Sequence, residues 1–273
     1  YPPFLSAPKL AERGLITTEL VNLDGVWQWD LAGLEQKIMA SDLKPRLLLL
    51  CNPHNPVGRV WTRDELEQIL ELVIRHDLWV CSDEIHCDLV LDPSCKHIPF
   101  ASLNAEAAKR TMTLMAPSKT YNIAGLNCAF AIASNPEIRA KLAKIMRGLF
   151  SDINIFGIAA CQAALTQGGA WRGELLDYLR INRDLVLSEL ANLAGLKVTI
   201  PEATYLAWID GRELCAQYQL ANLQQFFETA GVGLSDGADF ANAGFVRLNF
   251  GTNRAILVEA LQRMQLAVAN IIK

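Results

Sequence analysis

The sequence predicts an α/β protein, with a larger unit built on a mostly parallel sheet and a smaller C-terminal α/β unit after it. Three observations predict it. Short apolar runs alternate with longer segments of helical period, as strand–helix–strand crossovers require. The 273 residues are 51% apolar and 20% charged, which suits one large core or two unequal ones. The pattern then changes within a long helical run, which places a boundary near Asn182 and divides the chain into 1–181 and 182–273.

RLLLLC at 46–51 reads as a buried strand, and the turn-rich NPHNPVG follows it. Thr62 opens a helix, because Glu65 stands at capping-box spacing and Leu66, Ile69, Leu70, Val73 and Ile74 repeat on one face. LWVCS at 78–82 is a second strand, TMTLM at 111–115 a third and NCAFAIA at 127–133 a fourth. From Pro136 the pattern is helical, over 137–147, 154–166 and 171–194. Strands are then expected in LKVTI, TYLAWID and GFVRLNF, with helices near 213–230 and 253–271.

Charge narrows the function classes. Twenty-five Lys plus Arg against 29 Asp plus Glu leave a net charge of −4, without the basic clusters that hold a phosphate backbone, so no nucleic-acid partner is expected. No run of 18 apolar residues is present and the first residues lack a signal-peptide pattern, so neither a membrane span nor export is expected. Seven cysteines with no C-x-x-C pair fit a reducing, cytoplasmic setting. Cys81, His86, Cys87, Cys95 and His97 match no zinc spacing, and no G-x-G-x-x-G follows a strand. A small molecule is the expected partner.

In an open α/β sheet, ligands lie beyond the carboxyl ends of the strands. Asn52 and Asn55 follow the first strand, Asp83 and His86 the second, and Ser118 and Lys119 the third. Singly, each has an ordinary reading as a turn, a helix cap or a solvated lysine. Together they supply what pyridoxal phosphate needs: a lysine amine for the Schiff base, a carboxylate to hold the ring nitrogen protonated and a donor to the ring oxygen, from Lys119, Asp83 and Asn55. Arg247 interrupts the apolar GFVRLNF, where a charge is costly without a partner. It is a candidate clamp for a substrate carboxylate, or else the partner of an acid in the C-terminal unit.

NPHNPVG at 52–58, SDEIH at 82–86, Ser118-Lys119 with NIAGL at 122–126, and FVRLN at 245–249 occur in this order. With them the chain resembles the fold-type I pyridoxal phosphate enzymes of the class I/II aminotransferase superfamily. SDEIH, HIPF at 97–100 and TYLAWID at 204–210 draw the resemblance toward the MalY/PatB group of cystathionine β-lyase-like carbon–sulfur lyases. The resemblance implies Lys119 as the Schiff-base lysine and general base, Asp83 as the pyridinium partner, Asn55 as the ring-hydroxyl donor and Arg247 as the carboxylate anchor. It implies Tyr1 as an aromatic on the cofactor ring, Ser118 as a phosphate ligand and His86 near the ring hydroxyl. Asn127 stands where many relatives carry a phosphate-binding arginine. The resemblance also implies further pocket residues upstream of the position matching Tyr1, so that the large domain is expected to be N-terminally incomplete.

The implied reaction is α,β-elimination of cystathionine or a cysteine conjugate to pyruvate, ammonia and a thiol, in a homodimer with an amino-acid substrate. An aminotransferase of the same fold is the alternative, and a non-catalytic or truncated protein on this scaffold, with a binding or regulatory role, is a third.

Overall fold

The computed structural model describes residues 1–42, 44–148 and 152–272. Helix α1 (Pro2–Leu10) leads to a hairpin of β1 (Leu20–Leu23) and β2 (Val26–Trp29), with Leu20 opposite Trp29. Asp24 and Gly25 join them at φ 52° and 89°, the paired positive angles of a two-residue turn that keeps the strand twist. Helix α2 (Leu31–Ala40) follows, with the Asp30 carboxylate accepting from the Gly33 amide at 2.8 Å.

The larger sheet is formed by β3 (Leu47–Cys51), β4 (Trp79–Asp83), β5 (Thr111–Met115) and β6 (Phe130–Ile132), in that spatial order. The first three are parallel and β6 runs antiparallel to β5. Helix α3 (Arg63–Arg75) is the β3–β4 crossover and starts on the expected capping box. The Thr62 hydroxyl accepts from the Glu65 amide at 3.3 Å, and the Glu65 carboxylate accepts from the Thr62 amide at 2.7 Å. Its Leu66, Ile69, Leu70 and Val73 pack with Leu50, Val80, Trp61 and Phe100 in one core. Helix α4 (Ala105–Arg110) delivers the chain to β5.

Beyond β6 come α5 (Pro136–Met146), α6 (Ile155–Gln167) and α7 (Gly169–Leu190). The C-terminal sheet consists of β7 (Lys197–Val198), β8 (Leu206–Asp210), β9 (Ser235–Asp236) and β10 (Phe245–Asn249) in the order β7-β8-β10-β9, all antiparallel. Helices α8 (Arg212–Tyr218), α9 (Leu223–Thr229) and α10 (Arg254–Ile272) complete this unit. On length and composition α10 is apolar enough to cross a membrane, yet its Leu257, Leu261, Met264 and Val268 are core residues here. They pack with Leu179, Val186 and Leu190 of α7 and with Leu89 and Leu91 from the segment after β4.

That segment ties the two units together. The Thr204 amide donates to the Leu89 carbonyl at 2.9 Å and the Leu91 amide to the Glu202 carbonyl at 2.8 Å. Beside it, the Arg59 guanidinium donates to Glu65 at 2.7 Å and to Glu202 at 2.8 Å.

Several elements differ in extent from the sequence expectation. The helix expected at 213–230 is two helices, because Gln219 turns left-handed at φ 53° and Asn222 caps a new start. The strand expected at 127–133 begins only at Phe130, since Asn127 is left-handed at φ 50°. LKVTI pairs over two residues only. The sequence reading did not include α1, the β1–β2 hairpin, α2 or α4.

Candidate active site

The register of the larger sheet sets the site. Cys51 lies opposite Asp83 and Asp83 opposite Leu114, so the carboxyl ends of β3, β4 and β5 are level. Asp83 ends β4, and the turns that follow the three strands carry Asn52 and Asn55, His86, and Ser118 and Lys119 to the same edge. From the C-terminal sheet, β10 brings Arg247 to the same place. Its Nη1 donates to Asn55 Oδ1 at 2.9 Å, across 192 positions of sequence, and its Nη2 donates to Ser235 Oγ at 3.1 Å. The guanidinium lies 4.8 Å from the centroid of the Phe240 ring. Among the described residues it forms no ion pair within 4.0 Å, so the alternative pairing with an acid of the C-terminal unit is not made.

Asp83 is mostly enclosed, and its Oδ1 accepts from the Ile85 amide at 3.1 Å. Burial pushes its carboxyl above the usual range; the Ile85 amide opposes this, the Glu84 charge adds to it and Lys119 counteracts it. Lys119 donates no hydrogen bond among the described residues. It sits in a turn closed by Tyr121 N to Pro117 O at 2.9 Å and Ile123 N to Ser118 O at 3.1 Å. His86 is buried, and burial first, then the Lys119 and Arg247 charges, press its pKa down to about 4. Its Nδ1 is buried without a partner, and its ring stands edge-on to Tyr205 at 6.1 Å.

A buried carboxylate with one backbone partner, an orphaned histidine nitrogen and an uncommitted lysine amine together leave polar valences open. A flat heterocycle with a protonated ring nitrogen, a ring oxygen and a carbonyl carbon would satisfy them. The nearby thiols do not compete as nucleophiles, since burial first, then the Asp83 charge, push Cys51 up to about 12 and Cys81 up to about 11.

Tyr1 and Ser118 stand less closely engaged. The Tyr1 ring is 40% exposed and packs edge-on against Phe4 at 5.8 Å, although its phenol is near enough to Arg247 to influence that charge. Ser118 is half-buried in the Lys119 turn, with no side-chain hydrogen bond among the described residues. Three residues that the sequence reading did not assign also lie here: Tyr205 beside His86, Ser235 beneath Arg247, and Glu84. Burial raises the Tyr205 phenol above its ordinary value, and the Arg247 charge acts against that. TYLAWID and SDEIH contain two of the three, but nothing in those strings says what their side chains meet.

The family model described as "Aminotransferase class I and II" matches residues 1–264. Cystathionine beta-lyase PatB of Bacillus subtilis (strain 168) is 38% identical over 98% of this chain and 70% of its own length. The crystal structure of OvoB superposes with a TM-score of 0.93 at 48% identity, over 98% of this chain and 69% of that one. Cystalysin from Treponema denticola, solved with pyridoxal 5'-phosphate, superposes with a TM-score of 0.89 at 33% identity, over 99% of this chain and 69% of its own. The chain thus spans about 70% of the length of these relatives.

Proposed function

This chain belongs to the class I and II aminotransferase family, in its PatB- and MalY-like group, and from that premise we propose that it is a pyridoxal phosphate-dependent carbon–sulfur β-lyase. Its substrate is cystathionine or a related cysteine conjugate, and its products are pyruvate, ammonia and a thiol. The observation that carries the reading is the convergence of Lys119, Asp83 and Arg247 at one sheet edge, with the lysine amine without a hydrogen bond among the described residues and the aspartate held by the Ile85 amide alone.

Bound pyridoxal phosphate supplies an electron sink for the pair left at the substrate Cα. Lys119 Nζ would hold the cofactor's carbonyl carbon and, as a free amine, would serve as the base for the substrate Cα proton. Asp83 holds the proton on the ring nitrogen, and its burial favours sharing that proton. The Asn55 amide donates to the ring oxygen while its carbonyl oxygen, as in the structure, accepts from Arg247. Arg247 grips the substrate carboxylate, its plane fixed by Ser235 and Phe240. Neutral His86 would offer its orphaned nitrogen near the ring, Ser118 would contribute to the phosphate and Tyr1 would cover the cofactor face.

We divide the chain functionally at 1–181 and 182–273. Two separate cores support a division into two units, although Leu89, Leu91 and Leu179 of 1–181 pack in the C-terminal core. The seven cysteines, all free, support a reducing, cytoplasmic location. A homodimer is the assembly we propose, and the exposed Ile155, Phe156 and Ile158 of α6 offer an apolar face for it. The test is to add cystathionine to the protein loaded with pyridoxal phosphate and assay pyruvate. Pyruvate with free thiol supports the lyase. Conversion of the cofactor to its amine form with release of a keto acid supports an aminotransferase instead.

A further inference from the structure

Glu84 follows Asp83 directly and is 0% exposed, but it faces a different set of neighbours. Its Oε1 accepts from Ser82 Oγ at 2.8 Å and from the Phe100 amide at 3.0 Å. Its Oε2 lies 2.9 Å from His97 Nε2. His97 Nδ1 is buried without a partner, so the ring proton belongs on Nε2, pointing at the carboxylate. With the proton on His97 Nε2, all three contacts of Glu84, from His97, Ser82 and the Phe100 amide, donate to its carboxylate. Among the described residues no Lys or Arg pairs with it. A buried carboxylate held by an imidazole, a hydroxyl and an amide is a costly way to join two pieces of backbone. A glutamine or an apolar side chain would serve a purely structural role at lower cost.

We infer that Glu84 is a positioning residue for Asp83: its hydrogen bonds clamp the end of β4 to the 97–100 segment, and its buried charge strengthens Asp83's hold on a proton shared with the cofactor ring. This deepens the proposed function and rests on it. It also gives SDEIH and HIPF one shared role, since Glu84 and His97 are the two ends of a single buried contact. The groups that face the Asp83–Glu84 pair are Lys119 from the β5 turn, His97 from the following segment, and the thiols of Cys51, Cys81 and Cys87. All three thiols are pushed to about 11 or 12, chiefly by burial, and so stay protonated through neutral pH. Lys119 is the neighbouring cation that offsets the pair, and Glu84 tips the local balance negative.

The test compares Glu84→Gln, which keeps the shape and removes the charge, with Glu84→Asp, which keeps the charge on a shorter stem. In the cofactor-free protein, the Asp83 carboxyl is titrated by 13C NMR. In the loaded protein, the ring nitrogen is titrated by 15N NMR with labelled pyridoxal phosphate. Removing a negative charge makes a neighbouring proton easier to lose. Glu84→Gln should thus lower the Asp83 pKa, and that of the ring nitrogen, by about one unit relative to wild type. Glu84→Asp should stay near wild type in both titrations even where its melting temperature falls. Coincident titrations of Glu84→Gln and wild type would overturn the inference, as would Glu84→Asp shifting as far as Glu84→Gln. A wild-type protein that takes up no pyridoxal phosphate refutes the proposed function. The cofactor-free titration then still decides separately whether Glu84 sets the Asp83 proton affinity.

Discussion

Arg59 and Lys119 are both cations on turns that follow parallel strands of one sheet, each with carboxylates nearby, and the fold treats them in opposite ways. Arg59 has both terminal nitrogens committed, to Glu65 and to Glu202, and its side chain is 11% exposed. Lys119 has an acid and a histidine in electrostatic reach but no hydrogen bond or ion pair among the described residues. The first arrangement pairs the guanidinium with both carboxylates, although its buried Nε has no partner, and it joins two units of the chain. The second leaves its charges open, which is expensive unless a ligand completes it. A polar cluster that is finished within the protein is therefore read as structure, and one that is unfinished as a site.

Substitutions should separate the two clusters. Lys119→Ala is expected to cut pyruvate formation by roughly 10³-fold or more, because holding group and base are lost together. Its urea unfolding midpoint should match wild type, and borohydride should trap no adduct. Arg59→Ala should do the reverse. Leaving Glu202 and Glu65 without their cation should lower unfolding stability by about 3 kcal/mol, while a cofactor absorption band persists. If Arg59→Ala abolished the band at unchanged stability, the division between the clusters would fail.

His86 gives the site a pH signature, and His54, bridged to Arg59, is likewise pressed down to about 4, chiefly by burial. The folded His86 pKa of about 4 lies below the ordinary imidazole value of about 6.5. The unfolded chain therefore binds a proton in that window that the folded chain refuses. Stability should be full above about pH 6.5 and fall by on the order of 2 kcal/mol as pH drops toward 4. Urea unfolding at pH 7, 5.5 and 4 measures this, and His86→Gln should remove the His86 share of the slope while that of buried His54 remains. Arg247→Lys keeps the charge and removes the fork that spans Asn55 and Ser235. It is expected to raise KM by about tenfold with a smaller change in kcat, read from initial rates. Thr62→Ala, far from the chemistry, should cost only about 1 kcal/mol of stability.

The sequence carries the site in outline because chemistry and strand order coincide. Asn52, Asn55, His86, Ser118 and Lys119 follow parallel strands by one to four residues and Asp83 ends one, and a parallel sheet gathers strand ends whatever else the fold does. The capping box at Thr62 is legible for the same reason, being local. What stayed hidden depends on partners far apart in the chain. Arg59 meets Glu202 across 143 positions, and Arg247 meets Asn55 across 192. Glu84 and His97 each belong to a quoted motif, but only packing shows that they touch. The β1–β2 hairpin has a local signal in Asp24-Gly25, a dipeptide suited to a two-residue turn.

The most direct measurement is the absorbance spectrum of the protein with pyridoxal phosphate, followed after cystathionine is added and assayed in parallel for pyruvate. A visible band that is lost in Lys119→Ala, together with stoichiometric pyruvate and thiol release in wild type, is the predicted result. A stable band with no pyruvate and no keto acid from any sulfur amino acid would contradict the assignment of this edge as a carbon–sulfur lyase site.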